Sequence, residues 1–404
     1  MKKLLFITYG GGHVNMILPI VKLLKNNENF NINILALTTA KAVLDAEGIP
    51  SVGFYDLVKG DFSKLKEIGQ KLVGKKSASN VVKYEESVAY HAVNYKELVD
   101  VLGESKAAKV FSESGRQAFL PVEFMKKTIR EINPDLVVTT NSPRTERAAI
   151  LAARQLGIPA LCLVDLFALQ EVKWIGDPDY ADHLCVLNES VRSMFIAHGR
   201  KESEITVTGN PAFDSLFSDK VLSKVAEAEE KFLPRENSKI RLFYASQLEP
   251  AVHPFDESLK GDTELPRSIE NKLREFVREN DSFELVVRYH PSENVGFQPQ
   301  ERVYYSKPSE SLHALLHAVD LVIVTASTVG LEAHLVGKQV ISVDASIFTR
   351  DAPFSEMGIS EGVTEVDMLG EKIKAIALSN STTNPEKLDS TTNVIDVIKR
   401  LVDK

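Results

Sequence analysis

Residues 321–343 read LVIVTASTVGLEAHLVGKQVISV, and they predict the fold of the second half of the chain. Two short runs rich in Val and Ile, residues 321–325 and 339–343, flank a segment with helical spacing that stops at Gly337. A buried strand, a helix and another buried strand in this order are typical of a parallel sheet covered by helices on both faces. We therefore expect this stretch to form one β-α-β unit of an open α/β sheet.

The same alternation of apolar runs and helical segments continues in both directions from this stretch. The apolar runs form two series, at residues 4–8, 32–37, 136–140, 160–164 and 184–187, and at 240–245, 283–288, 321–325 and 339–343. Two successive doubly wound sheets account for these series better than one large sheet. The predicted fold class is therefore α/β, with two similar domains.

The boundaries follow from the segments without strand signal. Residues 220–239 are charged and rich in Ala and Glu, and they predict a helical linker between an N-terminal domain over 1–219 and a C-terminal domain over 240–404. Residues 58–117 read as a helical insertion in the first domain. An amphipathic helix is expected at 393–404, and packing of this helix on the N-terminal domain is one of the arrangements that we consider.

Composition excludes several classes of protein. A length of 404 residues exceeds what one hydrophobic core usually serves. The formal net charge of −8 argues against a nucleic-acid partner, and no apolar run approaches the roughly 20 residues that span a bilayer. The two cysteines, Cys162 and Cys185, have neither disulfide-framework nor metal-ligand spacing, so we expect a reducing cytoplasmic location.

The polar residues after two strands of the second half predict an anion site. Ser327 and Thr328 can cap the helix that follows residues 321–325, and the amides at a helix start bind phosphate. Glu332 misses the N3 position of a capping box whichever hydroxyl caps the helix, which leaves it available to ribose hydroxyls. Gly330 costs about 1 kcal/mol relative to alanine, and close approach of a ligand would explain it. Plain helix capping is the alternative.

The first strand ends in a glycine turn, Tyr9-Gly10-Gly11-Gly12-His13. Such turns lie at the carboxyl edge of the sheet, where ligands bind, and glycines remove the Cβ atoms that would obstruct a substrate. Asn15 stands where a dinucleotide-binding fingerprint needs its third glycine. His13 is then either a general base or a simple helix cap.

Other polar side chains follow strands of both halves. Asn141 and Asp165 come after residues 136–140 and 160–164, and His290 follows residues 283–288. Gly209-Asn210-Pro211 reads as a turn, because these residue types favour turns on conformational grounds.

These motifs resemble known families in their order and spacing. Gly12-His13 followed by Pro19 resembles the opening of nucleotide-sugar glycosyltransferases of the GT-B architecture. His290-Pro291 and the segment from Ser327 to Glu332 resemble the HP and S motifs of capsule-polysaccharide, sialyl- and Kdo-type transferases and of CDP-glycerol glycerophosphotransferases. The resemblance implies two Rossmann-like domains facing a cleft.

The resemblance also implies roles for individual residues. It makes His13 and His290 catalytic, the first as the base that deprotonates an acceptor. The diphosphate and nucleotide residues would be Ser246, Gln247, His290, Ser327, Thr328 and Glu332, and the acceptor side would hold Gly11, Gly12, Asn141 and Asp165. In such enzymes a carboxylate orients the histidine, and Asp165, Glu146 and Glu85 are the candidates.

The activity that the resemblance implies is glycosyl transfer from a nucleotide-sugar donor to a glycan or a lipid-linked acceptor, with neither a metal ion nor a cofactor. Lysines of the insertion could face an anionic glycan or the inner membrane surface, although a solvated helix face is the commoner meaning. These lysines are Lys64, Lys66, Lys71, Lys75 and Lys76.

Three alternatives remain. A non-hydrolysing UDP-sugar 2-epimerase would need an arginine-rich first turn and several carboxylates around the sugar, and residues 10–13 lack the arginine. A CDP-glycerol glycerophosphotransferase fits the histidine and hydroxyl motifs. A nucleotide-binding protein without enzymatic activity would not depend on His13.

Overall fold

The computed structural model describes residues 1–58, 62–74, 81–232, 239–254, 256–379 and 389–403. The chain forms two compact units, Met1–Asp214 with Leu388–Lys404 (unit 1) and Ser215–Lys387 (unit 2). Each unit contains a six-stranded sheet whose paired strands are parallel. The predicted class of two Rossmann-like α/β domains is confirmed.

Unit 1 has the strand order β2-β1-β3-β4-β5-β6. Its strands are β1 (Lys2–Thr8), β2 (Phe30–Ala36), β3 (Leu136–Thr139), β4 (Ala160–Leu163), β5 (His183–Val186) and β6 (Ile205–Val207). Its helices are α1 (Gly12–Leu24), α2 (Ala40–Ala46), α3 (Phe54–Leu57), α4 (Phe62–Val73), α5 (Tyr84–Leu102), α6 (Glu104–Ser114), α7 (Val122–Ile132), α8 (Thr145–Gln155), α9 (Val172–Ile175), α10 (Glu189–Ala197) and, at the end of the chain, α17 (Ser390–Val402).

Unit 2 has the strand order β11-β10-β7-β12-β13-β14 and a separate antiparallel pair, β8-β9. Its strands are β7 (Ile240–Ala245), β8 (Val252–His253), β9 (Asp256–Lys260), β10 (Phe283–Arg288), β11 (Val303–Tyr305), β12 (Leu321–Val324), β13 (Gln339–Val343) and β14 (Glu361–Val363). Its helices are α11 (Asp219–Leu222), α12 (Val225–Phe232), α13 (Leu265–Glu279), α14 (Leu312–Ala318), α15 (Thr328–Leu335) and α16 (Leu369–Ser379). Short 3-10 segments lie at Gly115–Ala118, Glu202–Glu204, Pro211–Phe217 and Val366–Met368.

The central strands of both sheets are buried on both faces. All four residues of β3, β4 and β12 are buried. Parallel strands in this setting read as continuous apolar runs, which is the pattern that the sequence shows.

The strand orders create one reversal in each sheet. In unit 1 the chain passes from β1 to β2 on one side and to β3 on the other, and in unit 2 β7 lies between β10 and β12. Ligands of open α/β sheets bind outside the carboxyl ends of the strands at such reversals. The loops after β1 and β3, and those after β7 and β12, are therefore the places to look for function.

The division into units differs in detail from the boundaries predicted from the sequence. Unit 1 ends at Asp214 rather than at the predicted residue 219, and the described part of the predicted linker, residues 220–232 and 239, belongs to unit 2. Helix α17 belongs to unit 1, where Val394 and Ile398 are completely buried in the core that includes β1 and α1. Asp214 accepts hydrogen bonds from the backbone N–H groups of Ser390 and Thr391, which fixes the start of α17.

The helical insertion predicted over residues 58–117 corresponds to α4, α5, α6 and the start of the following 3-10 segment. Some of the residues named in the sequence analysis lie outside the described residues. These are Lys75, Lys76, the side chain of Lys64 and residues 233–238 of the predicted linker. Among the helices that the structure describes, none is both long and apolar enough to cross a membrane.

Candidate functional site

His13 lies at the strand reversal of unit 1, in the first turn of α1. Its Nδ1 is 2.7 Å from the hydroxyl oxygen of Thr140, the residue that follows β3. The contact forms because β1 and β3 are neighbours and both end at this edge of the sheet. The structure thus joins the first glycine turn to the end of β3.

The glycines before His13 have different roles. Gly11 has a φ of 70°, which favours glycine, and a Cβ there would meet no atom within 4 Å. A Cβ at Gly10 would lie 1.7 Å from the Thr39 hydroxyl oxygen, and one at Gly12 would lie 3.0 Å from Oδ2 of Asp165. Gly10 therefore serves packing inside the protein, and the expectation that all three glycines clear space for a substrate is wrong for that residue.

Asp165 is held beside this turn by two amide side chains. Its backbone N–H donates to Oδ1 of Asn141 at 3.0 Å, and Nδ2 of Asn210 donates to its Oδ1 at 3.1 Å. Burial raises the pKa of Asp165, while the nearby His13 opposes the increase. From the sequence, Asn210 was interpreted only as a turn residue, because its residue type suits a turn. Its contact with Asp165 depends on the tertiary fold.

Glu146 lies at the base of the same cluster and is completely buried. Its Oε1 accepts the backbone N–H of Tyr9 at 2.8 Å, and its Oε2 accepts the Thr140 hydroxyl and the Ser142 N–H, both at 2.7 Å. It stands in the first turn of α8, where the helix dipole favours a negative charge. Of the three carboxylates proposed as partners of His13, Glu146 is connected to it through Thr140, and Asp165 interacts with it electrostatically.

Two further groups at this edge were not identified from the sequence. Glu171 is near enough to interact electrostatically with His13 and Asp165, and burial raises its pKa. The Arg144 guanidinium lies over the Tyr9 ring, 4.8 Å from the ring centroid, and its buried Nε has no hydrogen-bond partner among the described residues. Arg144 thus brings to the first turn the cation that residues 10–13 lack, from a position far away in the sequence.

In unit 2, the loops after β7 and β12 meet at the second reversal. The Thr325 hydroxyl donates to the side-chain oxygen of Gln247 at 3.3 Å. Ser327 is the N-cap of α15 and accepts the Val329 N–H, while Thr328 is the first helical residue and is exposed. The start of α15 therefore has the geometry of a capped helix whose first turn reaches solvent.

His290 is exposed in the turn after β10, and its tautomer follows from its contacts. Its Nδ1 accepts the backbone N–H of Ser292 at 3.1 Å, so in the neutral ring the proton is on Nε2. Its own backbone N–H donates to Oε2 of Glu293 at 2.6 Å. The ring therefore presents an N–H donor, which suits an anionic ligand.

Ser246 does not present a free hydroxyl in this structure. Its Oγ donates to Oε1 of Glu293 at 2.9 Å and accepts from Nη2 of Arg267 at 2.8 Å, and the residue is buried. Arg267 on α13 and Glu293 support both the turn after β7 and the turn of His290. No local sequence pattern points to Arg267, because its contacts depend on how α13 packs.

Glu332 is largely buried and has an unusual environment. Burial raises its pKa to about 7. Its Oε2 lies 3.6 Å from Nε2 of His313 and has no hydrogen-bond partner among the described residues. No side-chain hydrogen bond within the described part of the chain joins Glu332 to Ser327, Thr328 or His290.

Gly330 has a packing role. A Cβ at this position would lie 2.8 Å from Cγ2 of Val324 and 3.2 Å from Cε2 of Phe354. The helix therefore approaches β12 and Phe354 closely at this glycine. The expectation that Gly330 admits a ligand is wrong, and close internal packing explains the residue.

Comparison with known proteins shows the fold. No family model matches the chain, and no curated protein matches it. A UDP-GlcNAc 2-epimerase from Neisseria meningitidis, solved with UDP-GlcNAc bound, matches with a TM-score of 0.60 and 13% identity over 98% of this chain and 100% of that one. A UDP-GlcNAc 2-epimerase from Methanocaldococcus jannaschii matches with a TM-score of 0.56 and 14% identity over 98% of this chain and 99% of that one. One from Rickettsia bellii matches with a TM-score of 0.55 and 13% identity over 100% of this chain and 96% of that one.

These matches correct the activity expected from the sequence. UDP-GlcNAc 2-epimerases share the GT-B fold with glycosyltransferases, so the predicted fold class agrees with them. The glycosyltransferase expectation, however, is contradicted, because these whole-chain neighbours are epimerases and favour the alternative of a UDP-sugar 2-epimerase.

Proposed function

We propose that the chain is a UDP-sugar 2-epimerase, an enzyme that inverts the configuration at C2 of a sugar linked to UDP. The observation that carries the proposal is the similarity along the whole chain to UDP-GlcNAc 2-epimerases, two of them solved with UDP-GlcNAc bound. UDP-GlcNAc is therefore the substrate to test first.

The chemistry of such a reaction defines what the site must contain. The C2–H of a pyranose has no neighbouring carbonyl to stabilise a carbanion, so its proton leaves most readily together with the diphosphate on C1. The C2–H and C1–O bonds break, a C1–C2 double bond forms, and the diphosphate takes the electron pair. Return of the diphosphate to C1 and of a proton to the opposite face of C2 completes the inversion. The site therefore needs a base, an acid and a stabilised diphosphate.

Unit 1 supplies the proton-transfer groups in this proposal. His13, Asp165 and Glu171 interact with one another electrostatically, and burial raises the pKa of both carboxyls. Neighbouring titratable groups in different environments can divide the roles of acid and base. An epimerase was expected to need several carboxylates and an arginine-rich first turn. Residues 10–13 contain no arginine, and the single guanidinium of Arg144 packs on Tyr9 from the start of α8.

Unit 2, taken by itself, contains groups that suit a diphosphate. The dipole at the start of α15 favours an anion, and Thr328 is exposed there. The Nε2–H of His290 and the amide of Gln247 are further donors. The proposal uses neither a metal ion nor a redox cofactor, and it requires no glycan or lipid-linked acceptor.

The experiment follows the sugar directly. Purified protein is incubated with UDP-GlcNAc, and proton NMR is used to look for a second set of anomeric signals from the C2 epimer. We expect a mixture of the two UDP-sugars with wild-type protein and, for His13→Ala, a loss of turnover of about 100-fold or more, as general acid–base catalysis provides. Binding of UDP, measured by calorimetry, should remain. Absence of the epimer from a wild-type sample that binds UDP would contradict the proposal.

A further inference from the structure

The cluster around His13 contains a chain of hydrogen bonds that fixes the proton on one ring nitrogen. Thr140 has a single hydroxyl proton, and it stands between two partners, Oε2 of Glu146 and Nδ1 of His13, each 2.7 Å from its oxygen. Thr140 is completely buried. The position of that one proton therefore decides the tautomer of the imidazole.

Glu146 accepts the hydrogen bond that the Thr140 hydroxyl donates. Both of its oxygens already accept backbone N–H groups, from Tyr9 and Ser142, and these groups can only donate. The carboxylate therefore acts as an acceptor on both sides, and the Thr140 hydroxyl donates to it. The Thr140 oxygen then accepts from His13, so Nδ1 carries the ring proton and Nε2 carries the lone pair.

We propose that Glu146 and Thr140 are positioning residues that hold His13 in the tautomer whose Nε2 accepts a proton. This inference rests on the proposed function for its catalytic consequence. When Nε2 takes a proton, the chain from Nδ1–H through the Thr140 hydroxyl to Glu146 keeps its geometry and stabilises the imidazolium. The arrangement resembles the carboxylate that orients a catalytic histidine, with a hydroxyl inserted between the two groups.

The other charged groups that face His13 are Asp165 and Glu171. No hydrogen bond in the described part of the chain links either of them to the ring. Asp165 is bound instead by Asn141 and Asn210. The tautomer is therefore determined by Thr140 and Glu146, and the two remaining carboxyls are left for contact with substrate.

Thr140→Val is the decisive variant, because it replaces the hydroxyl with a methyl group of similar size and leaves Glu146 bonded to Tyr9 and Ser142. We expect kcat to fall about 100-fold, within the range of general acid–base effects, with little change in KM. Thr140→Ser should recover most of the activity. Thr139→Val is the matched control: Thr139 is equally buried, but its hydroxyl donates to a backbone carbonyl, and kcat should be retained.

The tautomer is measured independently of activity by nitrogen-15 NMR of full-length protein labelled at histidine, with His13 assigned by comparison with His13→Ala. The inference predicts a protonated Nδ1 and an unprotonated Nε2 in the neutral ring of the wild type, and loss of this preference in Thr140→Val. A wild-type ring protonated on Nε2, or a Thr140→Val protein with unchanged kcat, would overturn it. Failure of the proposed function would look different, since the wild type would then show no epimerisation while the tautomer stays as predicted.

Discussion

Arg144 illustrates how a residue can complete a site without belonging to its sequence motif. It precedes α8, yet its guanidinium stacks on Tyr9 of the first glycine turn. A guanidinium beside an aromatic ring retains donors for a phosphate or a carboxylate, and lysine does not reproduce that planar geometry. In the proposed epimerase this cation would be available to an anionic substrate.

We therefore predict that Arg144→Ala raises KM for UDP-GlcNAc by about 10- to 100-fold, the loss expected for one charge-assisted hydrogen bond. Arg144→Lys should give an intermediate value. The exposed Arg130 on α7 provides a control, since Arg130→Ala removes the same charge from unit 1 and should leave KM unchanged. Steady-state kinetics would count against a substrate-binding role if Arg144→Ala matched the wild type.

Glu332 should make the stability of the protein depend on pH. Its pKa is raised from 4.5 to about 7, so between these values the folded state holds more protons than the unfolded state. The free energy of unfolding therefore falls as pH rises through this interval. The stabilising contribution is complete below pH 4.5 and is lost as pH passes about 7.

The gap between the two pKa values corresponds to about 3 kcal/mol, at about 1.4 kcal/mol for each pKa unit. Glu332→Gln should remove this contribution, and denaturant unfolding of both proteins at pH 5 and at about pH 8 measures it. His313, which faces Glu332, is present in both proteins, so the comparison isolates the carboxyl. Parallel pH profiles for the two proteins would show that Glu332 titrates normally.

For individual site residues, the sequence predicts which polar groups lie at a common sheet edge but not which hydrogen bonds they form. His13, Asn141 and Asp165 follow strands, and parallel strands end at a common edge, so their placement at one edge follows from topology. The link from His13 to Glu146 depends on the register of β1 against β3, in which Ile7 pairs with Thr139. No local pattern encodes that register.

Helix α15 has two distinct parts: its start is suited to an anionic ligand, and its Gly330 packs against the interior of unit 2. Its N-terminal turn is capped by Ser327 and exposes Thr328, whereas its Gly330 faces Val324 and Phe354. Gly330→Ala should therefore destabilise unit 2 by about 1–2 kcal/mol, because the overpacking cost exceeds the gain in helix propensity.

Denaturant unfolding and UDP calorimetry test this prediction together, and we expect UDP affinity to be retained. Gly296→Ala is the matched control in the same unit, because a Cβ there would meet no atom within 4 Å. A Gly330→Ala protein of normal stability that no longer bound UDP would restore the explanation by ligand approach.

The sequence also predicts long buried strands better than short edge strands. The strands β6, β11 and β14 have three residues each, too few for a periodic pattern, and they were not among the predicted runs. Each of them is an edge strand that pairs with the backbone N–H and C=O groups of its neighbouring strand. Their existence is a consequence of tertiary structure.

For the whole molecule, α17 ties the end of the chain to unit 1. Ile398 is completely buried in the core of that unit. Ile398→Ala should cost about 2–5 kcal/mol and increase hydrogen exchange in β1–β6 while leaving β7–β14 unchanged. Lys399→Ala, on the exposed face of the same helix, should change neither sheet. Faster exchange in β7–β14 would place the helix with unit 2.

The difference between a glycosyltransferase and an epimerase depends on the assembled site and not on a single motif. Both activities use the same fold and a nucleotide sugar, and motifs that bind the diphosphate therefore cannot separate them. The distinction depends on which groups surround the sugar. Glu171 and Arg144 reach the first turn from loops whose positions only the folded chain defines.

Exchange of the C2 hydrogen with solvent distinguishes C2 epimerisation from simple binding of the UDP-sugar. UDP-GlcNAc is incubated with the protein in deuterium oxide, recovered, and analysed by mass spectrometry and NMR. Epimerisation through loss and return of the C2 proton predicts deuterium at C2 in both UDP-sugars, appearing about 100-fold more slowly with Thr140→Val. Recovery of UDP-GlcNAc with hydrogen still at C2, from a wild-type protein shown to bind UDP, would contradict the account.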